Sequence, residues 1–236
     1  METIEMANRR HCWRRPSSLH WWPVLIASLA LFGWPTSSSR WQVAASSPFT
    51  LEGSLNSYAQ LRKWNAGLNG TLQLEFRSSQ PSGLLLYTDD GGKFDFFELK
   101  LVEGALRLRY NLGAGAQILT VGRNLSDSQW HNVTVKRSGD QTALTVDHVT
   151  VTRASRGKEF NFGNLATNSA VYVGGLPAWY GAELTRLALP SVLFEPRYRG
   201  DLRNVIYSDA IGQHPRQQEI LESQVRIPSS SFSVMT

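Results

Sequence analysis

The sequence predicts an all-β fold, and we expect an antiparallel β-sandwich of the jelly-roll type. Short stretches of alternating polar and apolar residues recur along the chain with turn residues between them. No amphipathic helical stretch separates these short segments, as it would in an α/β protein. The chain is also rich in Val, Leu and Thr and has eight tryptophans, and these residue types favour strands.

The first 39 residues predict a secretory signal peptide. A basic segment, NRRHCWRRPSSLH, precedes a run of fourteen mostly apolar residues, WWPVLIASLALFGW, and the small residues of PTSSSR follow. This order is typical of a signal sequence, and fourteen residues are few for a membrane span. An uncleaved N-terminal anchor is the alternative. We place cleavage near Ser39, so that residues 40–46 form a linker and the only cysteine, Cys12, leaves with the signal.

The rest of the chain predicts a protein that is secreted or held at the cell surface. No later stretch reaches eighteen consecutive apolar residues, so we expect no transmembrane helix in the mature chain. The formal charge of +5 permits acidic partners such as sulfated glycans and does not by itself indicate nucleic acid. Three sequons, at Asn69, Asn124 and Asn132, are predicted glycosylation sites.

We assign residues 47–209 to one domain, whose strands follow from period-two patterns. In TLQLEF, Leu72, Leu74 and Phe76 fall on one face, because successive side chains of a strand point to opposite sides. GLLLY runs into an Asp/Gly loop, and FFELKL and ALRLRYNLG form the next pair of strands. Further strands are expected in WHNVTVKR, TALTVDHVTV, SAVYVGGLP and GDLRNVIYSD. We expect the following aromatic residues in the core: Trp64, Phe96, Phe97, Trp130 and Tyr172.

The last 27 residues, 210–236, form a polar tail that ends in a Ser-rich run. We expect a short helix over residues 216–223. Beyond that helix, the composition predicts partial disorder.

The motifs of this domain resemble those of a known family. SDSQWHNVTVKRSGDQTALTVD is similar to the W-H-x-V…R…L-x-V-D core of laminin G-like domains, and SGLLLYTDD, AVYVGGLP and YRGDLRNV occur in that family's order. More narrowly, RKWNA, FDFFELKL and VYVGGLP resemble the first laminin G-like domain of the α-neurexins, which are presynaptic adhesion receptors. The resemblance implies an extracellular adhesion or receptor-binding module with a protein ligand. Since neurexins continue into further domains, we expect a fragment or a short isoform.

The same resemblance implies a calcium site at the rim of the sandwich. Asp95 stands at the head of a hairpin, where the family places an aspartate ligand, and backbone carbonyls at Leu108 and Asn164 are the matching positions. Ca²⁺ accepts six to eight oxygen ligands, so backbone carbonyls and water molecules can complete a coordination shell that contains one carboxylate. Asp89 and Asp90 would strengthen the site if they turned towards it. The alternative is that Asp95 only caps the strand end.

The sequence favours a binding module over an enzyme. Glycan hydrolysis requires two facing carboxylates. In KFDFFE, Lys93 stands where the first acid of the E-x-D-x-x-E pattern would be, and Asp95 and Glu98 point to opposite faces of a regular strand. We find no other catalytic pattern, and therefore predict no enzymatic activity.

Two groups of residues are candidates for partner binding. Trp179 and Tyr180 lie in PAWYGAE, a Pro/Gly loop of the kind that exposes adhesive rings. The second group is basic. Four of its residues are expected on solvent-facing strand positions, namely Arg107, Arg109, Lys136 and Arg137, and Arg153, Arg156 and Lys158 follow in a predicted loop. If these residues met on one surface, they would bind heparan sulfate. A glycosaminoglycan-binding module is thus the alternative function, and ordinary solvation of sheet edges is the alternative reading of these charges.

Overall fold

The structure is a computed structural model that describes residues 47–64, 69–111, 115–155, 166–181, 191–208 and 216–223. The predicted signal peptide, the linker and the predicted calcium ligand Asn164 lie outside these residues, as do Arg156 and Lys158. Within them the regular secondary structure is almost entirely β-strand, and the predicted antiparallel sandwich is confirmed.

Fourteen strands and two 3₁₀ turns are described. The strands are β1 (Phe49–Glu52), β2 (Ala59–Leu61), β3 (Asn69–Arg77), β4 (Gly83–Asp89), β5 (Phe96–Val102), β6 (Ala105–Asn111), β7 (Gln117–Val121), β8 (His131–Ser138), β9 (Gln141–Val146), β10 (Val149–Ala154), β11 (Val171–Val173), β12 (Arg199–Ser208), β13 (Arg216–Gln217) and β14 (Ile220–Ser223). The 3₁₀ turns are Ala178–Tyr180 and Ser191–Phe194.

The strands form two sheets of seven strands each. The first sheet has the order β1-β12-β3-β8-β9-β10, with β13 paired to β12. The second sheet has the order β14-β2-β11-β4-β5-β6-β7. Sequence-adjacent strands β8 to β10 and β4 to β7 pair as meanders, whereas β12 and β11 return from far along the chain to sit in the middle of the sheets.

Apolar residues from one face of each sheet fill the core between the sheets. Strands β3, β6 and β8 alternate between buried and more exposed positions, as their period-two sequences require. The predicted inward residues of β3, β5 and β6 all belong to the main core: Leu72, Leu74, Phe76, Phe97, Leu99, Leu101, Leu106, Leu108 and Tyr110. The β5–β6 hairpin turns in two residues, Glu103 and Gly104, which both have positive φ (53° and 75°), as the tight primed turns of such hairpins require.

Strands β4 and β5, like the short strand β11, are buried on both faces. The outward-facing apolar residues belong to a second, smaller cluster, which includes Tyr58, Leu84, Tyr87, Phe96, Tyr172, Leu176, Tyr180 and Val192. Leu176, Tyr180 and Val192 follow β11 in sequence, so the chain after β11 covers the outer face of the second sheet. Phe96 and Tyr172 are buried as predicted, but in this outer cluster and not between the sheets.

The tail forms strands where a helix was predicted. Residues 216–217 pair with Ile206 and Tyr207 of β12, and residues 220–223 pair with β2. The helix prediction for residues 216–223 was wrong because open edges of both sheets are available there, and their backbone groups satisfy those of the tail. The predicted end of the domain near Asp209 leaves out these two strands, although they are hydrogen-bonded to it.

Trp130 lies outside the core, contrary to expectation. It is half-buried on the outer face of the first sheet, with the guanidinium carbons of Arg77 and Arg203 at 4.9 and 4.1 Å from its ring centroid. The reason is the alternation of β8: His131 and Val133 point inward, so the residue before His131 points outward. Trp64 occupies the core as predicted, 1% exposed and edge-on to Phe97 at 5.3 Å.

We predict that the two tryptophans differ in their contribution to stability. Trp64→Ala removes a fully buried ring and should lower the free energy of unfolding by about 3–5 kcal/mol. Trp130→Ala removes two cation–π contacts at a half-exposed site and should cost only about 1–2 kcal/mol. Urea denaturation of the three proteins followed by circular dichroism measures both changes. Equal losses would contradict the placement of Trp130 outside the core.

Candidate functional site

The segment that covers the second sheet is the centre of the candidate site. We call its described residues, 176–181 and 191–197, the cover segment. A backbone hydrogen bond from Leu84 N to Pro196 O at 2.8 Å holds its C-terminal part to β4. Tyr198, directly after the segment, donates from its amide to the carbonyl oxygen of Gly174, directly after β11, at 2.9 Å. Arg197 donates from its guanidinium to the carbonyl oxygen of Leu176, which ties the two ends of the segment together.

A buried carboxylate, that of Asp89, holds the N-terminal part of the cover segment. Its Oδ1 accepts hydrogen bonds from the hydroxyl of Tyr180 at 2.6 Å and from the amide of Gly91 at 3.0 Å, and its Oδ2 accepts one from the hydroxyl of Tyr87 at 3.1 Å. Burial raises the pKa of Asp89, against the effect of these donors, and burial together with the nearby carboxylate raises the pKa of Tyr180. This Asp89 cluster therefore joins β4 to the cover segment through groups that are sealed from water.

An ion network holds the other end of the cover segment. Lys100 Nζ contacts Glu98 Oε1 at 2.7 Å and also pairs with Glu195 of the cover segment. Arg109 donates to the hydroxyl of Ser191, and its guanidinium carbon lies 4.8 Å from the ring centroid of Phe96. Burial raises the pKa of Glu98, and the neighbouring Lys100 opposes that shift. Arg109 was predicted to bind a partner, but the structure uses it to bind the cover segment.

The loop between β4 and β5 forms the rim of the sandwich beside the Asp89 cluster. Asp90 Oδ1 accepts from the amides of Lys93 at 2.8 Å and Phe94 at 3.2 Å, and the Asp90 amide donates to the carbonyl of Asp95 at 3.0 Å. Gly91 is required here, because a Cβ on it would lie 2.5 Å from the carbonyl oxygen of Thr167. The loop before β11 therefore packs directly against this rim.

The structure separates two of the predicted calcium ligands. Asp95 is 4% exposed at the head of β5, but Leu108 pairs with Leu99, four positions further along that strand. At about 3.3 Å per residue the two predicted ligands are about 13 Å apart, so the Leu108 carbonyl does not reach the rim. Our assignment of Leu108 was wrong in register, since Asn111 of β6 is the residue opposite Phe96.

The other aspartates of the rim do not turn towards Asp95. Asp89 binds two tyrosines and Asp90 caps the loop, so neither adds a ligand as we had considered. Among the residues that the structure describes, no group of three or more His, Cys, Asp or Glu side chains is arranged to hold a metal ion. The calcium site remains a prediction that depends on Asp95 and on backbone oxygens of the neighbouring loops.

The two aromatic residues of the predicted adhesive loop have different roles. Tyr180 is 5% exposed and belongs to the Asp89 cluster, whereas Trp179 is 59% exposed and packs edge-on against the Tyr180 ring at 5.5 Å. The second turn of the cover segment exposes Leu193 and Phe194, the latter at 84%. The two turns are adjacent, because a Cβ on Gly181 would lie 3.4 Å from Leu193. We call Trp179, Leu193 and Phe194 the apolar patch.

The predicted basic surface is not assembled as expected. Arg137 is 1% exposed and points inward, because it has the same parity as Val133 and Val135 on β8, and burial lowers its pKa. Arg107 is half-buried on the outer face of the second sheet, opposite Lys100 on β5. The alternation of β8 would have revealed the inward position of Arg137 from the sequence.

The sequons occupy different environments. Asn124 is exposed in a loop with φ of 55°, and Asn132 is exposed on β8. Asn69 is half-buried, and its Oδ1 accepts a hydrogen bond from the amide of Gly139 at 3.2 Å. Asn124 and Asn132 are therefore the more accessible positions for the predicted glycans.

Comparisons with known proteins show which family model and which proteins this chain is similar to. A family model described as "Laminin G domain" matches residues 76–210. The chain is 58% identical to Neurexin 1 of Drosophila melanogaster over 201 residues, which are 85% of this chain and 11% of that protein. It is 34% identical to Neurexin-2 of Rattus norvegicus over 205 residues, which are 86% of this chain and 11% of that protein. The chain thus spans about a tenth of the length of these relatives.

Solved structures agree with the fold. Domains LG4-5 of the mouse laminin alpha1 chain superpose with a TM-score of 0.61 at 22% identity, over 77% of this chain and 46% of that chain. The LG1-3 region of the laminin alpha2 chain also gives a TM-score of 0.61, at 24% identity, over 77% of this chain and 34% of that chain. At these identities the likeness concerns the fold alone.

We predict that the fold tolerates loss of the negative charge of Asp89 but not loss of both of its side-chain oxygens, which accept the hydrogen bonds of the cluster. Asp89→Asn keeps an oxygen for Tyr180 and Gly91 and should change the free energy of unfolding by less than about 1 kcal/mol. Asp89→Ala leaves two buried tyrosine hydroxyls and the Gly91 amide without an acceptor and should cost about 2–4 kcal/mol. Urea denaturation measured by tryptophan fluorescence, which includes Trp179, separates the two variants.

The pH dependence gives a second readout of the same cluster. Because the folded-state pKa of Asp89 is raised, the folded protein binds this proton more tightly than the unfolded chain does. The stability of the wild type relative to Asp89→Asn should therefore fall as the pH rises from the ordinary aspartate range through the raised pKa. A relative stability that rises over this range would show that the three donors outweigh burial.

Proposed function

Because this chain belongs to the laminin G domain family and is similar to neurexins over most of its length, we propose that it is an extracellular adhesion or receptor-binding module and not an enzyme. The neurexin relatives favour a role in synaptic cell adhesion, with a cell-surface or extracellular protein as the ligand. The signal-like N-terminus and the exposed sequons support a secreted or cell-surface location. In the described part of the chain, no helix has the length and apolar character needed to cross a bilayer.

The single observation that carries the proposal is the apolar patch. Neighbouring large apolar side chains that project into water are typical of protein interaction sites, whereas apolar side chains scattered singly are not. The Asp89 cluster and the Lys100–Glu195 pair hold the segment that bears the patch, so a partner would meet ordered side chains. Binding to an ordered surface loses less conformational entropy than binding to a loop that must be ordered first.

We further propose that this module binds calcium weakly at Asp95. The buried carboxylate lies at the rim beside the loop that contains Thr167, whose carbonyl oxygen faces Gly91. One carboxylate together with backbone oxygens and water suits Ca²⁺, and a site with so little ligand charge should have a Kd of about 10⁻⁴–10⁻³ M. Such an affinity is useful only at extracellular calcium concentrations.

The adhesion proposal predicts that the apolar patch is needed for binding to cells. Trp179→Ser combined with Phe194→Ser should lower the binding of the labelled protein to intact neurons at least about tenfold, because large central side chains dominate interface energies. Its unfolding midpoint should stay close to that of the wild type, since both side chains are exposed. The matched control is Ile118→Ser with Val149→Ser, two exposed apolar residues elsewhere. An equal loss of binding in both double variants would contradict the proposal.

The calcium proposal predicts a difference between two aspartates of equal charge. Titration calorimetry of the wild type should show binding heat at millimolar Ca²⁺, and Asp95→Asn should abolish it. Asp140→Asn, at an exposed turn far along the chain, should bind like the wild type. If the wild type shows no heat, or if Asp95→Asn binds equally, Asp95 only ends the strand.

A further inference from the structure

One of the three sequons lies directly beside an aromatic side chain on the outer face of the first sheet. His131 and Val133 of β8 are buried, so Trp130 and Asn132 point to the opposite, outer face. Asn132 is exposed, and Trp130, the residue directly before β8, is half-buried. Two residues along a strand span about 6.6 Å, so the two side chains are direct neighbours on this face.

The ring of Trp130 is held in position by two ion pairs. Arg77 and Arg203 place their guanidinium carbons 4.9 and 4.1 Å from its centroid. Arg77 Nη2 lies 2.7 Å from Asp201 Oδ2, and Arg203 Nη2 lies 2.7 Å from Glu75 Oε2. Because each guanidinium is fixed by a carboxylate, the ring that contacts both of them presents its remaining surface to water at a defined place.

The backbone of Asn132 is equally well fixed. Its amide donates to Oδ1 of Asp147 at 2.9 Å, and its carbonyl oxygen accepts from the amide of Asp147 at 2.8 Å. On the other side of β8, Asn132 pairs with Glu75 of β3. The exposed asparagine side chain therefore projects from a rigid part of the sheet.

From this arrangement we propose that the first N-acetylglucosamine of a glycan on Asn132 packs against the ring of Trp130, so that the glycan is part of the folded domain. The C–H groups of a pyranose ring and the acetyl methyl group are apolar, and the face of an aromatic ring carries partial negative charge that attracts such C–H groups. The sugar would remove apolar surface of the tryptophan from water. Since both partners are held before they meet, the contact loses little conformational entropy.

The other two sequons do not offer this contact. Asn124 lies in a loop with φ of 55°, and the residues two positions before and after it are Gly122 and Ser126. Asn69 is half-buried, and its Oδ1 accepts a hydrogen bond from the amide of Gly139. Asn124 is therefore the matched control, because it is exposed and is a sequon but has no aromatic residue at this spacing.

The inference rests on the secretory part of the proposed function, because N-glycans are added in the secretory pathway. It is independent of the apolar patch, which lies on the cover segment of the second sheet. A glycan that packs on Trp130 would cover the outer face of the first sheet and keep protein partners away from it. The apolar patch would stay accessible.

The test uses the full chain secreted from cells that add only oligomannose glycans, with mass spectrometry to measure the glycan at each sequon. Asn132→Gln should lower the melting temperature by about 2–4 °C, the shift expected for loss of one modest apolar contact in a domain of this size. Asn124→Gln should change it by less than about 1 °C. In a Trp130→Leu background, Asn132→Gln should have no further effect, because the contact is already lost. In protein made in bacteria, which has no glycan, Asn132→Gln should leave the melting temperature unchanged.

Two further measurements address the first sugar itself. An endoglycosidase that leaves one N-acetylglucosamine on each site should preserve the melting temperature, whereas removal of the whole glycan should lower it as Asn132→Gln does. In the nuclear magnetic resonance spectrum of the trimmed protein, the acetyl methyl protons of the sugar on Asn132 should be shifted upfield of those on Asn124, because they lie over an aromatic ring. This readout needs no tryptophan variant and holds if Trp130→Leu does not fold.

Several outcomes would overturn the inference. Equal effects of Asn132→Gln and Asn124→Gln would show a general effect of attached glycans, and the same effect of Asn132→Gln with and without Trp130 would show that the ring is not the partner. Equal acetyl methyl shifts at the two sites would do the same. Absence of glycan from all three sequons would overturn this inference together with the secretory location, whereas a glycan on Asn132 without these effects would contradict this inference alone.

Discussion

The outer face of the second sheet cannot remain in water, and much of the structure depends on that constraint. Strands β4 and β5 have large apolar or aromatic side chains on both faces, so one face packs in the core and the other requires a cover. The cover segment meets this need with Tyr180, Leu176 and Val192. Trp179 and Phe194 of the same segment remain exposed. The candidate binding surface is thus a consequence of how the fold closes its second face.

Polar interactions specify where the cover segment lies, because apolar contact alone has no direction. The carboxylate of Asp89 accepts from donors of both layers, and Lys100 pairs with one glutamate of the sheet and one of the cover segment. Buried groups of this kind are costly when a partner is missing, so alternative positions of the segment are disfavoured. On the opposite sheet, Arg77 and Arg203 pair with Asp201 and Glu75 while they stack on Trp130. Such networks provide specificity in a domain that contains no cysteine, since the only cysteine of the chain is Cys12.

The strands and their faces could be predicted from local alternation, and the errors arose where that rule was not applied strictly. The parity of β8 places His131, Val133 and Arg137 inward and Trp130 outward, yet residue type had suggested the reverse for Arg137 and Trp130. The Leu108 assignment failed for a different reason, because the ligand position depends on the exact register of two strands. The tail was assigned from propensity, which an available sheet edge overrides.

The sequence alone determined the family, the two-sheet architecture and the inward residues of the central strands, because these depend on short-range periodicity and on motif order. Only the tertiary structure decided which polar residues act together. The hydroxyl of Tyr180 in the cover segment donates to the carboxylate of Asp89 on β4. Arg62 lies against the tail because β13 and β14 pair with different sheets. Contacts of this kind join residues far apart in the chain, and their formation depends on strand pairing and burial, which no local pattern records.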